Sequence, residues 1–391
     1  MKTKLPILPF FLVAATPMLS AVSFEVVKGN FVSVVDIVNN EDKEAASKKL
    51  SPMYEDDPRN ETYYSYQAMS NNYLGSIETV WNHFRGEGTT IAIIDTGIAY
   101  HHEDFWKGSD CHISNKSAYF YYDDYSGHVY KEDVGEDYSN VDAIEVSEKT
   151  HGCSTSATAA ATISGHGTVG VAPEATILNL KIDLSFAAMR EAIYYAVDNG
   201  ADVINMSFGG PSNEYIEAAQ LAVDSDIICV ASAGNDATAE LNYPAADKNV
   251  IGVGALEYNG WNLASYSNYG DNTDVVAPGT VYSTAIGGGY KIVSGTSFSS
   301  PIAAGAIALY LSRNPYQEFA NVQEQLFAST YDLGSLGKDF YYGYGALDIS
   351  AFVCEQRNTV TFNYLTDEIE TTKQVFINGH TLQNLPEPER L

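Results

Sequence analysis

Positive charge is scarce in this chain. Lys and Arg number 21 against 50 Asp and Glu, a formal charge of −29. A surface of that sign repels phosphate backbones and anionic lipid, which argues against nucleic-acid and membrane-surface roles. Cysteine is also sparse. Cys111, Cys153, Cys229 and Cys354 make neither a metal-ligand spacing nor a dense disulfide framework. Cys229 lies in the apolar run "IICVA" and reads as a small buried hydrophobe. After the N-terminus no run is long and apolar enough to cross a bilayer. The one long apolar run is Leu5 to Leu19, preceded by Lys2 and Lys4 and followed by Ser20 and Ala21. That order is an export signal with cleavage near Ala21, and an uncleaved anchor is the alternative. Pro6, Pro9 and Pro17 argue against a spanning helix.

What is present is a core. Hydrophobic residues are 45% and charged residues 18% of 391, enough for one large domain plus a smaller piece. The runs 89–95, 175–182, 201–208, 226–233 and 249–256 are short and rich in β-branched residues. They read as parallel strands buried on both faces. Between them, 185–200 and 213–226 carry apolar residues at helical spacing. The alternation predicts an α/β fold: a three-layer, doubly wound, mostly parallel sheet with helices on both faces.

In such sheets working groups gather at the carboxyl ends of the strands. Asp95 ends "IAIID", Ser207 ends "ADVINMS", and Asn235 ends "IICVASAGN". Ser297 in "SGTSFSSPIAAG" follows a Gly-Thr turn, with Pro301 expected in the first turn of a helix. Free N–H groups at that helix start stabilise negative charge near the serine oxygen. A nucleophilic serine needs a base, and the base an orienting group such as Asp95. Two histidines precede glycine. His151 opens "GCSTSATAAATIS", a slim helix able to pack in the core. His166 is followed closely by Gly170-Val171-Ala172-Pro173 and sits on a connection. A base must be held rigidly, which selects His151.

These residues lie in motifs that resemble the subtilisin-like serine proteases. They are "IIDTGI" at Asp95, "THG" at His151, "GVAP" at 170–173, "INMSFGG" at 204–210, "ASAGN" at 231–235, "YPAA" at 243–246, "VAPG" at 276–279 and "GTSFSSPIAAG" at 295–305. All eight stand in the family's order across residues 65–353. The resemblance implies a serine endopeptidase with Ser297 as nucleophile, His151 as base and then acid, and Asp95 as orienter. It implies an oxyanion donor at Asn235 and a substrate-pairing strand at Ser207-Phe208-Gly209. A first-subsite pocket would be walled by Ser207, Phe208, Gly209, Ser232, Ala233 and Gly234 and floored near Asn242. No acid stands at those positions, so cleavage is expected after uncharged residues of medium to large size. A cis peptide is expected at Tyr243-Pro244.

The chain also departs from the family pattern. Cys153, Ser154 and Ala157 replace the usual residues after the histidine; Cys153 reads first as a packed residue, with reactivity toward mercurials as the alternative. The Tyr- and Asp-rich stretch 118–140 is a surface insertion near the cleft, read as a solvated loop. "KIDLSFAAM" lacks the Gly-rich substrate-pairing edge of many relatives. Asp104 matches a calcium-binding carboxylate of the family. The 151–173 segment has the family's length but lacks the usual asparagines, leaving backbone carbonyls to serve. The chemistry itself requires no cofactor.

The expected organisation is a signal peptide at 1–21, a short pro-segment or N-terminal extension at 22–60, and the protease domain at 61–354. Residues 358–391 resemble the opening of a Listeria–Bacteroides-type surface repeat, cut short, with a turn at "NGHT". This organisation points to a bacterial protein, secreted or at the cell surface, acting on proteins or peptides. Two rivals are a dedicated processing protease with a narrow target and an inactive domain used as a surface binding module.

Overall fold

The computed structural model describes residues 56, 58–62, 64, 74–146, 151–258 and 260–354, with the backbone of 358–366 and 369–377. The expected signal peptide, most of the 22–60 segment and the "NGHT" turn lie outside the described residues.

The expected strands form, trimmed at their ends. They are β1 (Thr90–Asp95), β4 (Thr176–Ile182), β5 (Val203–Met206), β6 (Ile228–Ser232) and β7 (Val250–Leu256). With β2 (Ala118–Asp123), β3 (His128–Asp133) and β8 (Val275–Pro278) they make one sheet in the order β8-β7-β6-β5-β1-β4-β2-β3. All neighbours are parallel except β2 and β3. Central position explains the near-continuous apolar runs. Ile91 and Ile93 bury into one layer while Ala92 and Ile94 bury into the other.

One layer holds α2 (His151–Ala160) and α5 (Thr296–Arg313). Every residue of α5 from Thr296 to Leu311 is buried, which suits a helix apolar on all sides. Helix α2 is built of small residues and lies close on the sheet. A Cβ on Gly152 would stand 2.3 Å from the Gly97 carbonyl, so only glycine fits there. The opposite layer holds α3 (Phe186–Asp198) and α4 (Ile216–Asp224), packed on Ala92, Ile94, Leu180 and Ile204. The hydroxyl of Ser185 caps α3 by accepting the Ala188 N–H at 3.2 Å. Further elements include α1 (Ile77–Trp81), the antiparallel pair β9 (Thr280–Ala285) and β10 (Gly289–Ser294), α6 (Phe319–Ala328) and α7 (Ile349–Cys354).

Three expectations need comment. Most of the 118–140 insertion is not a loop: β2 and β3 form a hairpin over 118–133 that extends the sheet at its edge, with Tyr121 opposite Tyr130, and only 134–140 are irregular. Pro301 does not sit in the first turn. Helix α5 starts at Thr296, so Pro301 falls in the second turn, without an N–H for the carbonyl four residues back at Ser297. That carbonyl instead accepts the Ser207 hydroxyl at 2.8 Å. The connection from β4 to α3 is only three residues, Asp183–Ser185, as short as expected, and Leu184 adopts a left-handed φ of 70°. Beyond the protease match, Asn358–Thr366 (β11) and Ile369–Ile377 (β12) form an antiparallel hairpin.

Candidate active site

The carboxyl ends of β1, β5 and β6 bring Asp95, Ser207 and Asn235 to one end of the sheet, where α2 and α5 both begin. Asp95 is 2% exposed. Its Oδ1 accepts the Thr96 N–H at 2.6 Å. Its two oxygens lie 2.8 and 3.0 Å from His151 Nδ1. Thr155, one turn along α2, adds its hydroxyl to Oδ2 at 3.0 Å. The carboxylate is thus held from three directions and fixes the imidazole tautomer with Nε2 free. Burial alone would lower the His151 pKa, but the charge and hydrogen bond of Asp95 outweigh it, and the pKa stands above the usual value. The imidazole keeps 37% of its surface in solvent.

Ser297 is the second residue of α5, beside the ring of Phe298, which lies 5.6 Å from the His151 ring. The Ser297 hydroxyl is turned onto the Ser207 carbonyl at 3.3 Å. Beneath it runs a buried polar chain. Ser300 donates to Asn205 at 2.6 Å, Asn205 donates to the Ser207 hydroxyl at 2.9 Å, and Ser207 donates to the Ser297 carbonyl. Asn235 is oriented by its own oxygen. Oδ1 accepts the Thr296 N–H at 2.9 Å and the Thr296 hydroxyl at 3.0 Å, leaving the exposed amide N–H groups to point elsewhere. His166 is exposed on a bend of the chain and belongs to no helix.

The expected pocket residues also assemble. The Asn242 amide donates to the Ala233 carbonyl at 3.1 Å and reaches the Ser232 carbonyl at 3.5 Å. A Cβ on Gly209 would meet Asn242 Nδ2 at 2.2 Å, so glycine is required for this approach. The Asn242 amide therefore lies between Gly209 and the Ser232–Gly234 stretch. The Tyr243–Pro244 peptide is cis. Cys153 is buried and its thiol is pushed up to about 12 by that burial, so it is a packed residue.

Asp104 is fully buried, and burial raises its pKa. It accepts the hydroxyls of Thr168 at 2.6 Å, Tyr290 at 2.9 Å and Thr284. Nearby stands Glu61, which sequence reasoning missed. It is 3% exposed and accepts the Gly165 N–H at 2.7 Å. Burial first, and then the Asp104 charge, push its pKa up to about 7. Two buried carboxylates thus flank the 162–168 turn, and carboxylate oxygen is the donor type that calcium takes. Among the described residues no three His, Cys, Asp or Glu side chains gather as a metal group, so turn carbonyls would have to complete the shell.

The Asp95–His151 pair and the start of the Ser297 helix thus meet at one end of the sheet, and comparisons with known proteins identify the family. The model of the subtilase family matches residues 86–345. Subtilisin DY of Bacillus licheniformis is 35% identical over 281 residues, covering 68% of this chain and 92% of its own length. An intracellular serine protease of Paenibacillus polymyxa is 36% identical over 243 residues, covering 59% and 68%. Among solved structures, a protease of Pseudoalteromonas arctica superposes with a TM-score of 0.64 at 25% identity, over 77% of this chain and 99% of that one. The chain belongs to the subtilase family. It is a serine endopeptidase, a hydrolase of peptide bonds. Among the described residues no helix is long and apolar enough to cross a membrane.

Proposed function

We propose that this endopeptidase cuts peptide bonds through an acyl-enzyme on Ser297. The supporting observation is the Asp95–His151 pair, held at 2.8 Å beside the start of the helix that carries Ser297. Ser297 Oγ, released from the Ser207 carbonyl, attacks the scissile carbonyl carbon while His151 Nε2 takes its proton. The negative oxygen accepts hydrogen bonds from the Asn235 amide and the Ser297 N–H, at a helix start whose dipole favours it. The C–N bond breaks, and His151 returns its proton to the leaving amine. Water, deprotonated by the same imidazole, then releases the acid. No cofactor takes part.

Asn242 sets the depth of the first subsite. With no acid among its walls, the site favours uncharged side chains such as Leu, Met, Phe or Tyr over Arg and Lys. Glu61 and Asp104 would hold a calcium ion with turn carbonyls, supplying positive charge between two buried carboxylates. The Lys2, Lys4, Leu5–Leu19 and Ala21 pattern supports secretion or cell-surface display, although one relative is intracellular by name. The short Asp183–Ser185 connection favours a narrow-target processing role as the second reading. Reaction with an active-site phosphonate tests the proposal: the adduct is expected on Ser297, and a protein that takes up no label would be the binding module instead.

A further inference from the structure

The hairpin β2–β3 has no part in the chemistry above, yet it stands beside it. Register lines fix its place. Asp95 pairs with Lys181, and Lys181 pairs with Tyr119, so the three side chains share one face of the sheet. That is the face on which α2 and α5 lie. With the strand order β1-β4-β2-β3, Tyr119 is about 10 Å from Asp95 and Tyr130 about 15 Å. The last β2–β4 pair is Phe120 with Ile182, so the outer half of the hairpin runs past the end of β4. It is tied there by the Tyr122 N–H, which donates to Asp183 at 2.7 Å. It therefore projects from the same end of the sheet that carries Asp95 and His151.

The two faces of the hairpin differ. Phe120 and Val129 pack into the α3–α4 layer, and Lys131 lies 4.6 Å over the Tyr195 ring. The other face carries a tyrosine row. Tyr119 and Tyr121 are 5.1 Å apart, and Tyr121 and Tyr130 stack at 5.7 Å. Tyr130 is 43% exposed. Glu132 stands opposite Tyr119, and Asp123 stands opposite His128. The row already binds one cation at its inner end: Lys181 Nζ lies 4.8 Å over the Tyr119 ring while donating to the Glu145 carbonyl at 2.9 Å. A Lys or Arg over an exposed tyrosine face is worth about two- to fivefold in affinity.

We propose that this tyrosine row, rimmed by Glu132 and Asp123, is an exosite that docks a Lys/Arg-rich stretch of the polypeptide substrate away from the scissile bond. The inference rests on the endopeptidase reading. Charge complementarity selects the occupant: acids and ring faces attract a basic segment, and the chain's charge of −29 repels an acidic one. Reach agrees, since a flexible spacer of six residues spans roughly 13 Å. The first subsite stays selective for uncharged side chains, so the basic stretch is read at a distance and not cut within.

The test uses a short neutral chromogenic peptide and versions carrying six Lys/Arg residues beyond a Gly-Ser spacer at either end. With the full chain, one tailed version is expected to have a KM at least fivefold lower at low salt, with kcat unchanged. Tyr121→Ala/Tyr130→Ala and, separately, Glu132→Gln are expected to cancel that gain and leave the short peptide's turnover alone. An equal KM with and without tails overturns the exosite. So does a tail advantage that survives in both variants, which assigns it to overall charge. Failure to cleave even the short peptide counts against the endopeptidase reading. The exosite is then judged by anisotropy of a labelled lysine-rich peptide with Ser297→Ala protein, where binding equal to that of the tyrosine variant overturns it.

Discussion

Thr155→Val removes one hydroxyl from the support of Asp95 and keeps the side-chain shape. That hydroxyl lies 3.0 Å from Asp95 Oδ2 and 3.1 Å from the Gly152 carbonyl. A donor to a buried charged group is worth about 1.5–3 kcal/mol, so the folded state loses up to that amount. Among the described residues the carboxylate then keeps the Thr96 N–H and His151 as partners. Its charge then falls more heavily on the imidazole. If about 0.7 kcal/mol of the loss reaches the imidazolium, the His151 pKa climbs by about half a unit. Burial pulls that pKa down and Asp95 pulls it up, with Asp95 ahead, so the wild-type limb already lies above the ordinary imidazole value. The sign follows from the mechanism. The base must be neutral, so the acid limb of kcat/KM moves to higher pH. At pH 6.5 the variant is expected to lose roughly threefold from this shift alone, with recovery by pH 9. The same raised pKa gives stability that is complete below the free value of about 6.5 and is lost as pH rises through the folded value. The assay is a pH profile of kcat/KM on a short neutral peptide between pH 5.5 and 9.5. A limb that stays in place, or moves to lower pH, refutes the reasoning.

Three other outcomes follow from the same geometry. Asn235→Leu leaves the Thr296 N–H without its acceptor and the oxyanion with one of its two donors; kcat is expected to drop about 10²–10³-fold with KM little changed, and a drop below tenfold would remove Asn235 from that role. Asn242→Gly deepens the first subsite, so the kcat/KM ratio of Tyr over Leu at the cleaved position should rise about tenfold, while Arg and Lys stay poor in both proteins; a peptide-library profile led by Arg or Lys would contradict the pocket. Chelation by EGTA is expected to lower Tm, and Glu61→Gln to shrink that drop while leaving kcat/KM intact below the melting range; a Tm indifferent to both calcium and chelator would argue against a cation at Glu61 and Asp104.

Much of this site is legible in the sequence for identifiable reasons. Strands buried on both faces leave unbroken apolar runs, and such runs end at Asp95, Ser207 and Asn235. His151 stands out because its followers are small enough for a helix laid tightly on the sheet, whereas His166 runs into glycine and proline. Other features are hidden because they depend on distant partners. Glu61 acquires its burial from the 162–168 turn, roughly a hundred residues away, and nothing near it in sequence marks it. Thr155 reads as one small residue among many until the Asp95 carboxylate is set beside it. The helix start at Thr296 displaces Pro301 by a turn, because the Ser207 hydroxyl can satisfy the carbonyl that proline leaves free. The hairpin had a signal: alternating aromatic residues flank the Asp124–Gly127 turn. Its concentration of Tyr and Asp resembles a solvated loop until the edge of β4 is known to be open to it.

The central claim is that Ser297 and His151, and not His166, carry the cleavage. The direct measurement is peptide hydrolysis by Ser297→Ala, His151→Ala and His166→Ala, each confirmed as folded by its melting transition. Hydrolysis is expected to fall to background in the first two and to remain at most of the wild-type rate in the third. Activity retained by His151→Ala together with loss in His166→Ala would contradict the account.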